Sequence, residues 1–432
     1  MSIERRFLFL QGPHGPFFRQ MAGALRKAGA TVWRVGFNAG DAAFWWRSPG
    51  YLPFRDNLDA WPAALARILH DKEITDIVLY GDTRPVHAEA VRQARAAGLR
   101  IHVFEEGYLR PYWITYERDG SNGHSHLRRL SLADMRAHLA QDGRDMPTPP
   151  AHWGDMRQHI FYGALYHWFV MFRNARYPQF RPHRALSVQA EARLYSRRLL
   201  MMPFHALLRG LATLRIKAGG YPYHLALLQL EHDSSFQMHS PFRDMETFID
   251  VVVAGFAKGA SAGHHLVFKA HPLENGRKPL RRLIRQAAAA QGIADRVHYV
   301  RGGKLAQLLD KALSAVTINS TAGQQVLWRG IPLRIFGAAV YDKPDFVSDQ
   351  PLPAFFAAPR APDAQAYRDF RQFLLETSQV PGGFYSIKGR RHLTAKLVPM
   401  MLADRSPYDS RLDDEKPREM HRAALVKVQR VA

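Results

Sequence analysis

Leu225-Ala-Leu-Leu-Gln-Leu-Glu-His-Asp-Ser-Ser235 is the stretch on which the fold turns. A short apolar run, with Tyr221-Pro222 before it and Ser234-Ser235 after it, reads as a buried strand between turn signals. It ends abruptly in two carboxylates, Glu231 and Asp233, with the imidazole of His232 between them. In open α/β sheets, ligands bind in the crevice beyond the carboxyl ends of the strands. Polar residues crowded at such an end are therefore candidates for chemistry. The plainer alternative is that both acids cap the next helix and hold solvent.

On either side of this strand the chain alternates. After it come a helix near 245–260, a strand at His265–Lys269, a helix near 279–291 and a strand at Val297–Tyr299. A helix near 304–312, a strand at Ala315–Ile318, a helix over 321–329 and a strand at Leu333–Ile335 follow. The first half does the same, with strands at Phe7–Leu10, Thr31–Val35, Ile77–Tyr80 and Ile101–Phe104 and helices between them. Strands separated by helices of this length imply parallel sheets with right-handed crossovers. From about 132 to 220 the chain is helical, basic and punctuated by proline, and the alternation stops. The expected organisation is an α/β domain over residues 1–150, a helical basic and aromatic insertion over 151–220, a second α/β domain over 221–404 and a charged tail over 405–432.

A length of 432 residues suits two domains, and 47% hydrophobic content suits globular ones. There is no cysteine, which removes disulfides and thiolate metal sites and fits a reducing compartment. The opening Phe7–Leu10 run leads into Gly-Pro and reads as a first strand rather than a signal peptide. No apolar stretch is long enough to span a bilayer, so a cytoplasmic location is expected. The net charge of +22 attracts polyanions: nucleic acid, phosphosugars or an anionic membrane face. No nucleic-acid recognition motif or basic-aromatic platform is evident, so no nucleic-acid partner is expected. Residues 151–220 hold eleven Lys and Arg against two acids, together with aromatic clusters at Phe161-Tyr162 and Tyr166–Phe172. That combination reads either as an interfacial membrane element or as a core helix with solvated ends.

Several motifs sit at strand ends. His271-Pro272 follows the His265–Lys269 strand, with Lys269 as its last residue. Proline leaves His271 extended, so its imidazole can reach the crevice and meet a phosphate. Asn319-Ser320-Thr321-Ala322-Gly323 runs from a strand directly into a helix, where hydroxyls and backbone N–H groups can hold an anion or serve as an ordinary cap. Neither a Walker loop nor a Gly-x-Gly-x-x-Gly turn occurs, which points away from an NTPase or dehydrogenase and toward a nucleotide-sugar site. In the first half, Val103-Phe-Glu-Glu-Gly-Tyr-Leu-Arg-Pro111 ends a strand in Glu105 and Glu106. Gly107 permits a tight turn there, and Arg110 can grip a carboxylate or phosphate. Adjacent acids point different ways, so one of the two enters the crevice; Glu106, nearer the turn, is favoured and Glu105 stays open. Gln11-Gly-Pro-His14-Gly-Pro-Phe-Phe18 and Phe37-Asn38-Ala-Gly-Asp41 are candidate acceptor loops.

These residues carry a resemblance. The Phe9–Phe18 opening, Phe37–Asp41, Glu105–Pro111 and Tyr341-Asp-Lys-Pro344 resemble the KpsS/LipB-type capsular polysaccharide proteins. Gln229–Ser235, His271-Pro272 and Asn319–Gly323 are similar to motifs of the related KpsC-type proteins. The likeness runs from residue 7 to about 346, and the motifs in order are far more specific than any one of them.

The resemblance implies a GT-B-like architecture, two Rossmann-like α/β domains facing a cleft, with the helical basic insertion between them. It implies a β-Kdo glycosyltransferase that moves the acidic sugar Kdo from CMP-Kdo to a lysophosphatidylglycerol or similar lipid acceptor. That step starts the poly-Kdo linker of a capsule glycolipid, and KpsC-type transferases and the capsule export machinery become possible partners. Family members of this kind retain anomeric configuration through a covalent sugar–aspartate adduct. Carried over, Asp233 is the candidate nucleophile, Glu106 or Glu105 the acid/base, and Glu231 a supporting residue. His271, Ser320, Thr321 and Gly323 become the donor phosphate site, with Pro272 and Asn319 as further substrate-binding residues and Lys269 and Arg110 available for the Kdo carboxylate. His14, Asn38 and Asp41 fall on the acceptor side. CMP-Kdo serves as the donor substrate; no cofactor and no metal are expected, and the enzyme is expected to be peripheral on the inner face of the cytoplasmic membrane. The rival readings are another CMP-sugar transferase, such as a sialyltransferase, and a non-catalytic capsule export or assembly component.

Overall fold

The computed structural model of the chain describes residues 4–142, 155–181, 214–216, 218–272, 274, 276–301, 304–406 and 408. Within these residues two compact units are formed, the first from 4–126, 155–181 and 374–408, the second from 127–142 and 214–373. Much of the expected 151–220 insertion and nearly all of the 405–432 tail lie outside the described residues.

In the first unit, β1 (Arg6–Phe9), β2 (Thr31–Gly36), β3 (Tyr51–Pro53), β4 (Asp76–Tyr80) and β5 (Arg100–Glu106) pair in parallel in the order β3-β2-β1-β4-β5. The period-2 alternation of β1 explains the layering. Phe7 and Phe9 share a core with Phe17, Phe18 and Met21 of α1 (Phe17–Lys27). Leu8 and Leu10 share another with Leu65 of α3 (Trp61–Asp71) and Ala90 of α4 (Pro85–Ala96). Between them lies the short α2 (Ala39–Ala43), N-capped by Asn38, whose side chain accepts from the Asp41 N–H.

Two findings correct the sequence reading. The sheet is not wholly parallel: β6 (Trp113–Arg118) returns antiparallel to β5, and β12 (Gln379–Pro381) pairs antiparallel with β6. No crossover helix is needed at this edge, because the chain reverses tightly at Gly107, where a Cβ would lie 2.2 Å from the Trp113 carbonyl oxygen. Residues 374–404 also leave the expected second domain. Besides β12, α14 (Ile387–Leu402) buries Leu393, Leu397 and Met401 in the core that holds Phe17 and Phe104. In the opposite direction, α5 (Leu132–Asp142) and the turn before it belong to the second unit. The buried Lys343 ammonium ties that turn down, donating to the carbonyls of Leu127, Arg128 and Leu130.

In the second unit, β7 (Tyr223–Leu227), β8 (His265–Lys269), β9 (Val297–Val300), β10 (Ala312–Thr317) and β11 (Leu333–Ile335) form a wholly parallel sheet, order β11-β10-β7-β8-β9. Its helices are α7 (Ser234–His239), α8 (Met245–Gly259), α9 (Leu280–Ala290), α10 (Leu305–Leu309), α11 (Gly323–Leu327) and α12 (Leu352–Ala357). Then α13 (Ala364–Thr377) carries the chain back to the first unit. Phe248, Ile249, Val252 and Phe256 of α8 pack with Leu266, Phe268 and Val316 from the strands. Both sheets reverse their strand order once, between β1 and β4 in one unit and between β7 and β10 in the other. These reversals are where doubly wound sheets open a ligand crevice. No described helix is long and apolar enough to cross a membrane.

Candidate functional site

The register places Leu227 beside Lys269 on one side and Thr317 on the other, so the residues after β7, β8 and β10 leave the second sheet together. Gln229 and Asn319 lock the reversal between β7 and β10. The Gln229 amide donates to Asn319 Oδ1 at 2.7 Å, and the Asn319 backbone N–H returns a bond to Gln229 Oε1 at 2.9 Å. The Asn319 amide nitrogen then donates to the carbonyls of Ser235 (2.9 Å) and His239 (3.2 Å), at either end of α7. Buried and committed to these partners, Asn319 positions the Glu231–Ser235 loop.

The two acids of that loop differ. Glu231 Oε2 accepts from the Met245 N–H at the start of α8 (3.0 Å) and from Lys278 Nζ (2.8 Å). It holds the loop against α8. Asp233 stands at the N-cap position of α7, but its side chain makes no capping bond to that helix, and the residue is exposed. The capping alternative therefore fits Glu231, at a different helix, and not Asp233 at α7.

Lys269 is buried at the end of β8 and donates to the Ala270 carbonyl at 2.8 Å, with the half-buried His271 and the exposed Pro272 just beyond. At the end of β10, Ser320 Oγ accepts from the Ala322 N–H at 3.2 Å, and the Gly323 N–H donates to the Ser320 carbonyl. The half-buried Thr321 lies between them. Beneath this turn the buried Tyr341 hydroxyl donates to the Ser320 carbonyl. A Cβ on Gly323 would lie 2.6 Å from that hydroxyl oxygen, so the glycine makes room for Tyr341.

In the first unit, Glu105 and Glu106 are the last residues of β5. Glu106 Oε1 accepts from the hydroxyls of Tyr80 (3.2 Å) and Tyr385 (3.3 Å). Burial pushes the Glu105 carboxyl up to about 7; the charge of Glu106 adds to the rise and Arg84 opposes it. Gly81, at a φ of +68°, packs against Glu105, and a Cβ there would sit 3.2 Å from Oε2. Arg110 is exposed, and its Nε donates to the Gly107 carbonyl at 3.1 Å.

The acceptor-loop residues spend their polar groups on the protein. Asp41 is buried and accepts from Arg34 Nη2, Gln11 Nε2 and the Phe37 N–H. Asn38 donates to the Tyr166 hydroxyl at 2.7 Å. His14 stacks on Tyr166, ring centres 4.2 Å apart. The candidates therefore form two groups: Glu231, Asp233, Lys269, His271 and Ser320–Gly323 around the second unit's strand reversal, and His14, Asn38, Asp41, Glu105 and Glu106 at strand ends of the first.

Residues 75–385 match the family model described as capsule polysaccharide biosynthesis protein. The chain is 33% identical over 386 residues to the capsule polysaccharide export protein KpsS of Escherichia coli, covering 88% of this chain and 97% of that protein. This chain belongs to the capsule polysaccharide biosynthesis family. It is also 34% identical over 395 residues to the capsule polysaccharide modification protein LipB of Neisseria meningitidis (serogroup A), covering 89% of this chain and 93% of that one. Among solved structures it is similar to the β-Kdo 2,7 transferase of Thermosulfurimonas dismutans KpsC, at 12% identity and a TM-score of 0.44, covering 92% of this chain and 100% of that one.

Within this capsule polysaccharide biosynthesis protein, sequence reasoning missed Tyr80 and Tyr385 on Glu106, Lys278 on Glu231, and the buried Glu117. Burial raises the Glu117 carboxyl to about 8, and it accepts from Tyr108 and Ser125. Tyr341 had a signal, since it opens the Tyr-Asp-Lys-Pro block; the others are isolated residues with none. The amide clamp makes a prediction. Asn319→Leu should destabilise the protein by about 2–4 kcal/mol in urea unfolding, because the buried Gln229 amide and two carbonyls lose their partners. Adding Gln229→Leu should cost less than the sum of the two single changes; strict additivity would count against the clamp.

Proposed function

We propose that this protein is a retaining β-Kdo transferase that moves Kdo from CMP-Kdo to a lysophosphatidylglycerol-type acceptor and so starts the poly-Kdo linker of a capsule glycolipid. The observation that carries this reading is the gathering of Asp233, Lys269, His271, Ser320 and Thr321 around the β7/β10 reversal. That set contains a carboxylate, cations for an acidic sugar and a phosphate, and hydroxyl and N–H donors. The family membership supports a role in building capsule, and the motif resemblance supplies the donor.

In the proposed reaction, Asp233 attacks the anomeric carbon of Kdo. The bond to the CMP phosphate oxygen breaks, and CMP leaves with the electron pair. Ser320, Thr321 and His271 stabilise the departing phosphate. An acceptor hydroxyl then attacks the same carbon, its proton passes to a carboxylate base, and the aspartate is released. Of the two glutamates, Glu105 suits that step better, because its pKa of about 7 matches a base working near neutrality. Freshly made CMP-Kdo and lysophosphatidylglycerol should give CMP and a Kdo-glycolipid. Transfer from CMP-sialic acid in preference would move the donor assignment, and release of no CMP from either donor would leave the export reading.

A lipid acceptor places the protein at an anionic membrane face. The helix α6 (Asp155–Phe172) supports this: Ile160, Phe161, Trp168 and Phe172 are exposed along it, with Arg157 and Arg173 at its ends. Its other side packs inward, where Tyr162 and Tyr166 meet Phe44. Phe161→Ser/Phe172→Ser should weaken binding to phosphatidylglycerol vesicles roughly 10- to 100-fold in a sedimentation assay. Binding unchanged by both substitutions would remove this face from the reading.

A further inference from the structure

A cavity of about 770 Å³ runs along the edge strand β9, between α9 and residues Arg215 and Ile216. It is large enough for an oligomeric ligand rather than a single ion. Its floor is apolar, with Leu280, Ile284, Val300 and the ring of Tyr299. Its walls are cationic: Arg215, Lys278, Arg281, Arg282, Arg285 and Arg301 face one acid, Glu274. Like charges brought together repel, by an amount that water and salt reduce at these largely exposed side chains.

Among the described residues, the guanidinium groups of Arg281, Arg282, Arg285 and Arg301 make no side-chain hydrogen bond or ion pair, which leaves their donors to a ligand or to water. Lys278 is different. It pairs with Glu231 and so connects the cavity wall to the loop that carries Asp233.

The spacing of the charges indicates the ligand. Arg281 and Arg285 are four residues apart on α9, which sets their Cβ atoms about 6 Å apart on one face of the helix. Arg301, just past the end of β9, and Arg215 line the same cavity from other elements. A lone phosphate would need converging donors; separate forks carried by different elements around an apolar, tyrosine-bearing floor suit repeated carboxylates on a chain of sugar rings.

We propose that this groove binds an acidic oligosaccharide, a glycan with a carboxylate on successive sugars, beside the donor site of the second unit. The choice of a glycan among polyanions rests on the capsule-building function proposed above; the anionic character rests on the groove alone.

Calorimetric titration of the full chain tests it, with a tetragalacturonate as the acidic probe and maltotetraose as the neutral one, at about 0.15 M salt. The acidic tetramer should bind and the neutral one should not. Arg281→Ser/Arg285→Ser should weaken binding at least 10-fold, as expected for the loss of two charge-assisted contacts. Arg285→Lys, which keeps the charge but not the fork and guards against a folding artefact, should bind more weakly than the parent and more tightly than the double variant. The control Arg67→Ser/Arg391→Ser, which removes two exposed arginines from the first unit, should match the parent. Equal loss in that control would reduce the effect to net charge and overturn the proposal. So would undiminished binding in the double variant, tighter binding of inorganic phosphate, or preference for phosphatidylglycerol vesicles over the tetramer. The titration contains no CMP-sugar, so a chain that binds the tetramer but transfers nothing refutes the transferase reading alone. A chain that transfers but does not bind refutes the groove alone.

Discussion

Asp233→Asn is expected to lower CMP release from CMP-Kdo by at least about 1,000-fold while leaving thermal unfolding near that of the parent. Loss of a covalent nucleophile removes the bond-forming partner itself, and effects of this size or larger are usual for such groups. The small structural cost follows from the substitution itself, since asparagine matches aspartate in size and suits an N-cap position equally well. Asp233 is exposed and makes no capping bond to α7, so the amide replaces no capping interaction. Glu231→Gln should behave in the opposite way. Its carboxylate holds the Met245 N–H and Lys278 together, so the protein should unfold more readily while much of the turnover survives. Both variants would be followed by CMP release and by melting temperature. If Glu231→Gln abolished turnover and Asp233→Asn spared it, the nucleophile would have been assigned to the wrong acid. Mass spectrometry supplies an independent check, since a covalent Kdo adduct should appear on the peptide containing Asp233 when acceptor is withheld.

The contrast between these two acids shows what a sequence carries and what it does not. The strand was legible because Leu225–Leu228 is apolar throughout and the run is bounded by turn residues, and the wholly parallel second sheet followed from the alternation. The first sheet's antiparallel edge was not legible. Gln379–Pro381 is only three residues long and pairs with Thr115–Trp113, more than 260 positions away, so nothing local marks it. The same distance problem affects the site. Strand ends dense in polar residues stood out, yet whether a polar side chain faces a ligand depends on partners elsewhere in the chain. Asn319 is held by a glutamine 90 residues away, and Asn38 by a tyrosine 128 away. Local spacing alone could rank Glu106 above Glu105 only by nearness to the turn. The fold adds that two tyrosine hydroxyls occupy Glu106 while burial raises the pKa of Glu105.

Glu105→Gln should therefore lower kcat roughly 100- to 10,000-fold, the range for loss of a general acid/base, with little change in donor binding. The pH dependence makes the test specific. A base must be ionised to accept the acceptor's proton, so the parent rate should rise with pH and level off above about 7, where burial has moved the Glu105 carboxyl. The residual rate of the glutamine variant should lack that limb. Glu106→Gln should keep it, because its carboxylate is engaged by Tyr80 and Tyr385; loss of the limb there instead would reassign the base. Stability should change in the opposite sense to activity. A carboxyl raised from 4.5 to about 7 in the folded state retains a proton that the unfolded chain has released across that window. Ionising it therefore destabilises the fold progressively as pH rises from about 4.5 to 7. Glutamine never ionises, so the melting temperature of the variant should gain on the parent between about pH 4.5 and 7, hold that gain above 7 and match the parent's trend below 4.5. A variant that loses catalysis yet gains stability above neutrality would separate a catalytic role for Glu105 from a structural one, since a purely structural glutamate would lose both together.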